Sequence, residues 1–324
     1  MKSGRIMRWI TAQVARRYLG RPDQAEIIAT KYPRLRDLPA ALLNEAAFSL
    51  GLTRSFKLTG LNVELTNRCN LHCTICPHRS GERSRPDCDM DLATFKEIID
   101  GTPDLKILLP YQWGEPLLSP ILVPAIEYAA GRGVRVMVTT NGTLLDERNC
   151  RALVDSGLER LTVSFDGSRA SHEKIRAVPA SAILDRIHLF KEVRDTAGSS
   201  CALDVSMVVD ELTEPEVAAF KKNFTGIVDR IQCVPRFVAA PRRSPCRELW
   251  RGILVVLANG DVTVCCADYA GAGVLGNVAE RSPVEWFNSE ELRNFRRRHR
   301  HRDWPQICCN CGEYHSSAVS ARFS

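Results

Sequence analysis

The chain has 324 residues, 44% hydrophobic and 25% charged, with 20 Gly and 17 Pro; this excludes fibrous and disordered chains and allows two domains or one large barrel with an appendage. Its 44 basic and 38 acidic residues leave a net charge of +6, which permits an anionic partner without requiring one. Thirteen cysteines are too many for small core residues alone and too thinly spread for a disulfide scaffold, so metal or redox chemistry is the first expectation.

Uninterrupted apolar stretches such as Ile253–Ala258 fall far short of the ~20 residues of a bilayer-spanning helix. Lys2, Arg5 and Arg8 precede no apolar core or cleavage site, so the thiols are expected in reducing cytoplasm. Residues 1–58 read as a helical extension. Its first helix carries Ile6, Trp9, Ile10 and Val14 among the arginines of Arg5–Arg17, and a second helix follows at Ala40–Leu50. The first is expected to dock on the domain behind it; peripheral contact with a membrane surface is the alternative.

From residue 59 to about 240, strand and helix alternate. The strands are Leu61–Leu65, Leu105–Leu109, Val134–Val138, Leu161–Phe165, Leu203–Val209 and Arg230–Val234. The helices are Leu92–Asp100, one through Ile126–Ala130, Asp146–Ser156, Ile183–Asp195 and Glu216–Phe224. Parallel neighbours need helical crossovers, so this pattern predicts an α/β fold, a partial TIM-like (β/α)6 barrel with its chemistry after the strands. Residues 241–324 predict a small cysteine-bearing module attached to the barrel. It holds a hairpin, Ile253–Ala258 and Val262–Val264 around Asn259-Gly260, and an Arg-rich helix at Pro283–Arg302.

Cys69, Cys73 and Cys76 form a C-x3-C-x2-C run directly after the first strand. Three thiolates on one loop can bind three irons of a [4Fe–4S] cube and leave the fourth open; zinc, with His72 or His78 as an added ligand, is the alternative. In the tail, Cys246 is followed by thirteen residues, Gly260, four residues and Cys265, then after 42 residues by Cys308-x2-Cys311. A zinc ribbon could use the same four thiolates.

Together these motifs resemble radical S-adenosylmethionine (radical SAM) enzymes with a C-terminal auxiliary-cluster domain of the SPASM or shortened twitch type. The resemblance implies two [4Fe–4S] clusters, one on Cys69, Cys73 and Cys76 that also binds SAM, and one on Cys246, Cys265, Cys308 and Cys311. It implies one-electron cleavage of SAM to a 5′-deoxyadenosyl radical that removes a hydrogen atom from substrate, fed by a reductant such as flavodoxin or ferredoxin. By the family motifs, Ile75 lies near the adenine, and Gly114 and Glu115 of Trp-Gly-Glu-Pro correspond to the turn that meets the SAM amino group. Trp113 replaces that motif's first Gly. Asn141, Ser164 and Arg176 resemble polar positions near the ribose and carboxylate of SAM; read alone, Asn141 forms a turn and Ser164 caps a helix.

Six cysteines remain: Cys88, Cys150, Cys201, Cys233, Cys266 and Cys309. Most suit a buried core, while Cys233, Cys266 or Cys309 is a candidate hydrogen-atom donor. Asp268 and Tyr269 are candidate acid–base groups over the barrel mouth, and Arg236 a candidate anion clamp. The run Arg293 to Arg302 is expected to form a solvated helix face rather than a nucleic-acid contact. The substrate implied is a small polar, carbohydrate- or aminocyclitol-like natural-product intermediate, dehydrogenated, epimerised or dehydrated. The alternatives are a peptide- or protein-modifying maturase and, from another class, a non-catalytic zinc or nucleic-acid-binding protein.

Overall fold

The computed structural model describes residues 38–76, 85–210, 213–236 and 241–311. The predicted helix at Arg5–Arg17 lies outside them. Helix α1 (Leu38–Ser49) precedes strand β1 (Gly60–Val63), and then come α2 (Leu92–Asp100), β2 (Ile107–Leu109), α3 (Leu122–Gly131), β3 (Arg135–Thr140), α4 (Glu147–Asp155) and β4 (Arg160–Ser164). Two helices, α5 (Arg169–Arg176) and α6 (Ala180–Thr196), separate β4 from β5 (Ala202–Val209); α7 (Val217–Phe224) and β6 (Arg230–Pro235) complete the repeat. Side-chain caps set the starts of these helices: Asp91 accepts from Ala93 N and Thr94 N, Asp146 from Asn149 N and Ser168 from Ser171 N. Helix α5 is the unpredicted element, because its eight mostly polar residues bury only Ser171, His172 and Ile175.

The sheet runs β6-β5-β4-β3-β2-β1 and continues beyond β1 through three further strands, so the expected hairpin extends the barrel sheet itself. Strand β7 (Ile253–Val256) lies parallel to β1, with Gly60 opposite Ile253 and Val63 opposite Val256. Strands β8 (Asp261–Thr263) and β9 (Val274–Asn277) then add antiparallel. Gly252 makes the junction possible: at φ 76°, a β-carbon there would lie 2.4 Å from the Lys57 carbonyl oxygen. Its own carbonyl accepts from Thr59 N and Gly60 N at 2.9 Å each.

Side chains alternate across these strands. On one face Leu61, Val63, Leu161, Val163, Leu203, Val205 and Met207 are buried. A methyl on Gly142 would touch Val163 at 3.0 Å and Ile183 of α6 at 3.3 Å, so this face carries the helices. The opposite, inner face holds Asn62, Thr139, Thr162, Ser164, Asp204, Ser206 and Gln232, joined by the registers Thr139↔Thr162, Thr162↔Asp204, Ser164↔Ser206 and Ser206↔Gln232.

The Arg-rich helix is two helices, α8 (Pro283–Phe287) and α9 (Glu290–Arg300), separated where Ser289 caps Leu292 N. It is also not a wholly solvated face. Arg296 is fully buried and donates to the carbonyls of Leu249 (2.9 Å), Thr53 (3.1 Å) and Phe287 (2.9 Å) and to Asn288 Oδ1 (3.0 Å). It fastens α9 to the segments before β1 and β7, whereas Arg297 and Arg298 pair at the surface with Glu290 and Asp303. Helix α1 docks at the same place, with Phe48 edge-on to Trp250 at 5.3 Å. No helix among the described residues is long and apolar enough to cross a membrane.

Candidate active site

The cysteine loop leaves β1 at the carboxyl end of the sheet and is held from three sides. Glu115 N donates to the Arg68 carbonyl at 2.8 Å, and Thr74 N to the Ile175 carbonyl at 2.9 Å. Asn141 Nδ2 donates to Asn70 Oδ1 at 2.9 Å, and Asn70 Nδ2 to Thr143 Oγ1 at 2.8 Å. Gly114 is required by contact: a β-carbon there would lie 2.2 Å from the Thr66 carbonyl oxygen and 2.7 Å from that of Arg68. The Trp-Gly-Glu-Pro turn thus rests directly on the backbone that leads into Cys69.

Glu115 is buried and its oxygens are occupied. Oε1 accepts from Thr140 Oγ1 (2.7 Å) and Leu117 N (3.2 Å), and Oε2 from Asn141 N (2.7 Å). Burial pushes its carboxyl above the usual carboxylate range against the pull of these donors and of Arg176. Arg176, at the end of α5, donates Nε to Asp166 Oδ2 at 2.7 Å, and Asp166 Oδ1 accepts from Val208 N at 2.7 Å. Burial pushes the Cys73 thiol up to about 11, with Arg176 pulling it down and Cys76 and Cys69 adding to the rise. The three thiols and this arginine therefore share one electrostatic environment. Ile75 is half-buried on the same loop, and Ser164 ends β4 on the inner face beside Ser206.

The second group of cysteines converges as well. Cys246 feels the charge of Cys311, Cys265 that of Cys246, and Cys308 that of Cys246 and Cys311. Burial pushes Cys246 up to about 11 and Cys308 to about 12. Among the described residues, no three His, Cys, Asp or Glu side chains gather around the position of a single metal ion. A four-iron cube needs no such gathering, since each thiolate binds its own iron.

Trp113 and Gln112 connect the two regions. Trp113 packs edge-on against Tyr269 with ring centres 5.8 Å apart, Gln112 Nε2 donates to the Cys266 carbonyl, and Asn62 Nδ2 donates to Gln112 Oε1 at 2.5 Å. Glu64, fully buried at the end of β1, receives both ends of the Arg85 guanidinium (2.7 and 2.9 Å) and Ala258 N (3.1 Å), while Arg85 Nε donates to the Tyr269 carbonyl at 3.0 Å. The second module thus touches the Trp-Gly-Glu-Pro turn, which itself rests on the backbone leading into Cys69.

The hydrogen-donor and acid–base candidates separate. Cys233 pairs in register with Met207 on the helix-bearing face and feels Lys221 of α7, so it points away from the inner face, a correction to its expected role. Cys266 is exposed, and its free thiol shares a hydrogen bond with that of Cys265. Cys309 Sγ donates to the Gln306 carbonyl at 3.0 Å. Asp268 is buried and holds its own turn, accepting from Ala272 N (2.8 Å), Gly273 N (2.9 Å) and Thr263 Oγ1; its surroundings suit a brace rather than an acid–base group. Arg236 is exposed and pairs with Asp210 at 3.3 Å. Asn62, Gln112, Thr162, Asp204, Ser206 and Gln232 belong to no motif; alternating polarity along β4 and β5 is the signal for Thr162, Asp204 and Ser206.

A family model described as the Radical SAM superfamily matches residues 63–222, and one described as an iron–sulfur cluster-binding domain, SPASM, matches residues 246–312. The chain belongs to the radical SAM superfamily. An AdoMet-dependent heme synthase of Methanosarcina barkeri (strain Fusaro / DSM 804) is 36% identical over 120 residues, 36% of this radical SAM chain and 34% of that protein. The chain spans about a third of the length of the first curated relatives it matches. Among solved structures, BtrN in complex with AdoMet and 2-DOIA aligns with a TM-score of 0.57 at 19% identity, covering 80% of this chain and 94% of that one. Native anSMEcpe with bound AdoMet and the Cp18Cys peptide aligns with a TM-score of 0.59 at 16% identity, covering 78% and 87%. At such identities the likeness is one of fold.

The residues fit the superfamily's cofactors. Three thiols on one loop lie beside a buried guanidinium, and the Trp-Gly-Glu-Pro turn is packed against the backbone that leads into that loop.

Proposed function

We propose that this radical SAM chain is an enzyme that acts on a small polar, carbohydrate- or aminocyclitol-like compound bound between the inner face of the sheet and the SPASM module. Bound on Cys69, Cys73 and Cys76, a [4Fe–4S] cluster would supply the electron that cleaves SAM to a 5′-deoxyadenosyl radical. Gly114, Glu115, Asn141 and Arg176 hold the cysteine loop and the adjoining turns in one arrangement, which fixes where SAM is presented. Trp113, Tyr269, Gln112 and Arg85 close the mouth of the barrel and exclude water from the radical. Cys246, Cys265, Cys308 and Cys311 would hold one auxiliary cluster.

The observation that carries the substrate reading is the inner face itself. Asn62 hydrogen-bonds Gln112, and Asp204 accepts from Arg160 Nη1 (2.5 Å) and Gln232 Nε2 (2.9 Å) on Oδ2, while its Oδ1 has no partner among the described residues. Thr139, Ser164, Ser206 and Gln232 are only half-buried. A concave face lined with donors and acceptors suits a hydroxyl-rich ligand better than an apolar one. Anaerobic turnover with SAM, a reductant and panels of sugars, aminocyclitols and precursor peptides tests this reading. Substrate-dependent release of 5′-deoxyadenosine with a polyol supports it, and release with a leader-bearing peptide alone contradicts it. Turnover in deuterated water then separates the reactions: solvent deuterium on the product carbon marks epimerisation through a thiol, and its absence marks dehydrogenation.

A further inference from the structure

Arg242 lies between the barrel and the second cysteine group and is 9% exposed. Its backbone N donates to the Cys309 carbonyl at 3.0 Å, its Nη1 to the Ser244 carbonyl at 3.1 Å and its Nη2 to Cys311 Sγ at 3.0 Å. These bonds tie Arg242 to the backbone and to one sulfur of the Cys308-x2-Cys311 segment. Among the described residues no carboxylate pairs with Arg242, and its Nε is buried without a partner. A buried guanidinium is costly unless an anion faces it. Here the group its Nη2 meets is Cys311 Sγ, one of the four cysteines assigned to the auxiliary cluster.

The first cysteine group is built differently. Its buried arginine, Arg176, is paired with the Asp166 carboxylate at 2.7 Å, so most of that charge is already balanced within the protein. At the second group no carboxylate among the described residues pairs with the arginine, and a cysteine sulfur faces it instead.

We propose that Arg242 is the built-in counter-ion of the auxiliary cluster and raises its reduction potential. Net charge and hydrogen bonds to sulfur set such potentials. A fixed positive charge with an N–H aimed at one ligand sulfur favours the more negative, reduced state, which moves the midpoint to a more positive potential. The auxiliary centre is thereby suited to accepting electrons. This inference rests on the four-cysteine auxiliary cluster proposed above.

The test uses the full chain, reconstituted anaerobically with iron and sulfide, carrying Cys69→Ala, Cys73→Ala and Cys76→Ala so that only the auxiliary centre gives a signal. Potentiometric titration followed by electron paramagnetic resonance is compared for Arg242, Arg242→Lys and Arg242→Gln. The expected result is a midpoint shifted to more negative potential in both variants, further in Arg242→Gln, with iron and sulfide content unchanged. Midpoints equal to that of the parent would overturn the proposal. Should Arg242→Gln hold no iron, Arg242→Lys decides alone: a negative shift supports the proposal and an unshifted midpoint overturns it. Failure of the four-cysteine reading is distinguishable, because the parent with Arg242 intact would then bind neither iron nor sulfide.

Discussion

Replacing Glu115 with alanine separates a structural brace from a SAM ligand. The carboxylate accepts from two backbone N–H groups, Leu117 and Asn141, and from the Thr140 hydroxyl, all in a buried setting. Removing the acceptor strands at least the two backbone donors, since a hydroxyl can rotate toward another partner. At about 1–3 kcal/mol for each unsatisfied buried group, the loss is roughly 2–6 kcal/mol. Glu115→Gln keeps one acceptor oxygen and turns an NH2 toward one donor, so about half that loss is expected. Asn141 carries the effect onward, because its side chain holds Asn70 between the first two cysteines. Chemical denaturation of the anaerobic protein without SAM is the assay, with iron content measured alongside. A stability and iron content equal to wild type for Glu115→Ala would refute the brace, and a defect seen only in SAM affinity would assign Glu115 to the cofactor alone.

His172 is fully buried, its Nδ1 accepts from Asp166 N at 3.2 Å, and burial pulls it down to about 4. Its folded value lies below the ordinary 6.5, so the unfolded chain takes up the proton first. Stability is full above about pH 6.5 and falls toward pH 4 by up to about 1.4 kcal/mol per pH unit; His172→Asn is expected to flatten that slope in pH-dependent unfolding. Arg296→Ala takes the Arg296 donors from three carbonyls, whereas Asn288 Oδ1 keeps Ser55 N; at about 1–3 kcal/mol for each unsatisfied buried group it is expected to cost at least about 3 kcal/mol in denaturant unfolding, while Arg297→Ala leaves the midpoint unchanged. Cys233→Ala is expected to keep full substrate turnover, because its side chain lies on the helix-bearing face; a stalled reaction that still releases 5′-deoxyadenosine would contradict that placement.

The six barrel strands and most of their helices were legible because apolar residues recur along each strand and polar or glycine-rich turns follow most of them. The first cysteine loop was legible because its ligands are close in sequence. The seventh parallel strand was not. Ile253–Val256 reads as one arm of a hairpin, which it is, but its pairing with β1 depends on Gly252 approaching Lys57 across nearly 200 residues of chain. Helix α9 shows the same limit: a run of arginines looks uniformly solvated, and only packing around Trp250 and Phe287 selects Arg296 for burial. Cys233 was misplaced for a simpler reason. Strand alternation gives two faces, and the register with Met207 decides which one it occupies.

The central claim is that three cysteines hold one four-iron cluster and four others hold a second. Iron and acid-labile sulfide measured per chain after anaerobic reconstitution test it most directly. About eight irons and eight sulfides are expected for the native chain, and about four of each when Cys69, Cys73 and Cys76 are replaced by alanine. One or two zinc ions per chain and no sulfide would contradict the account.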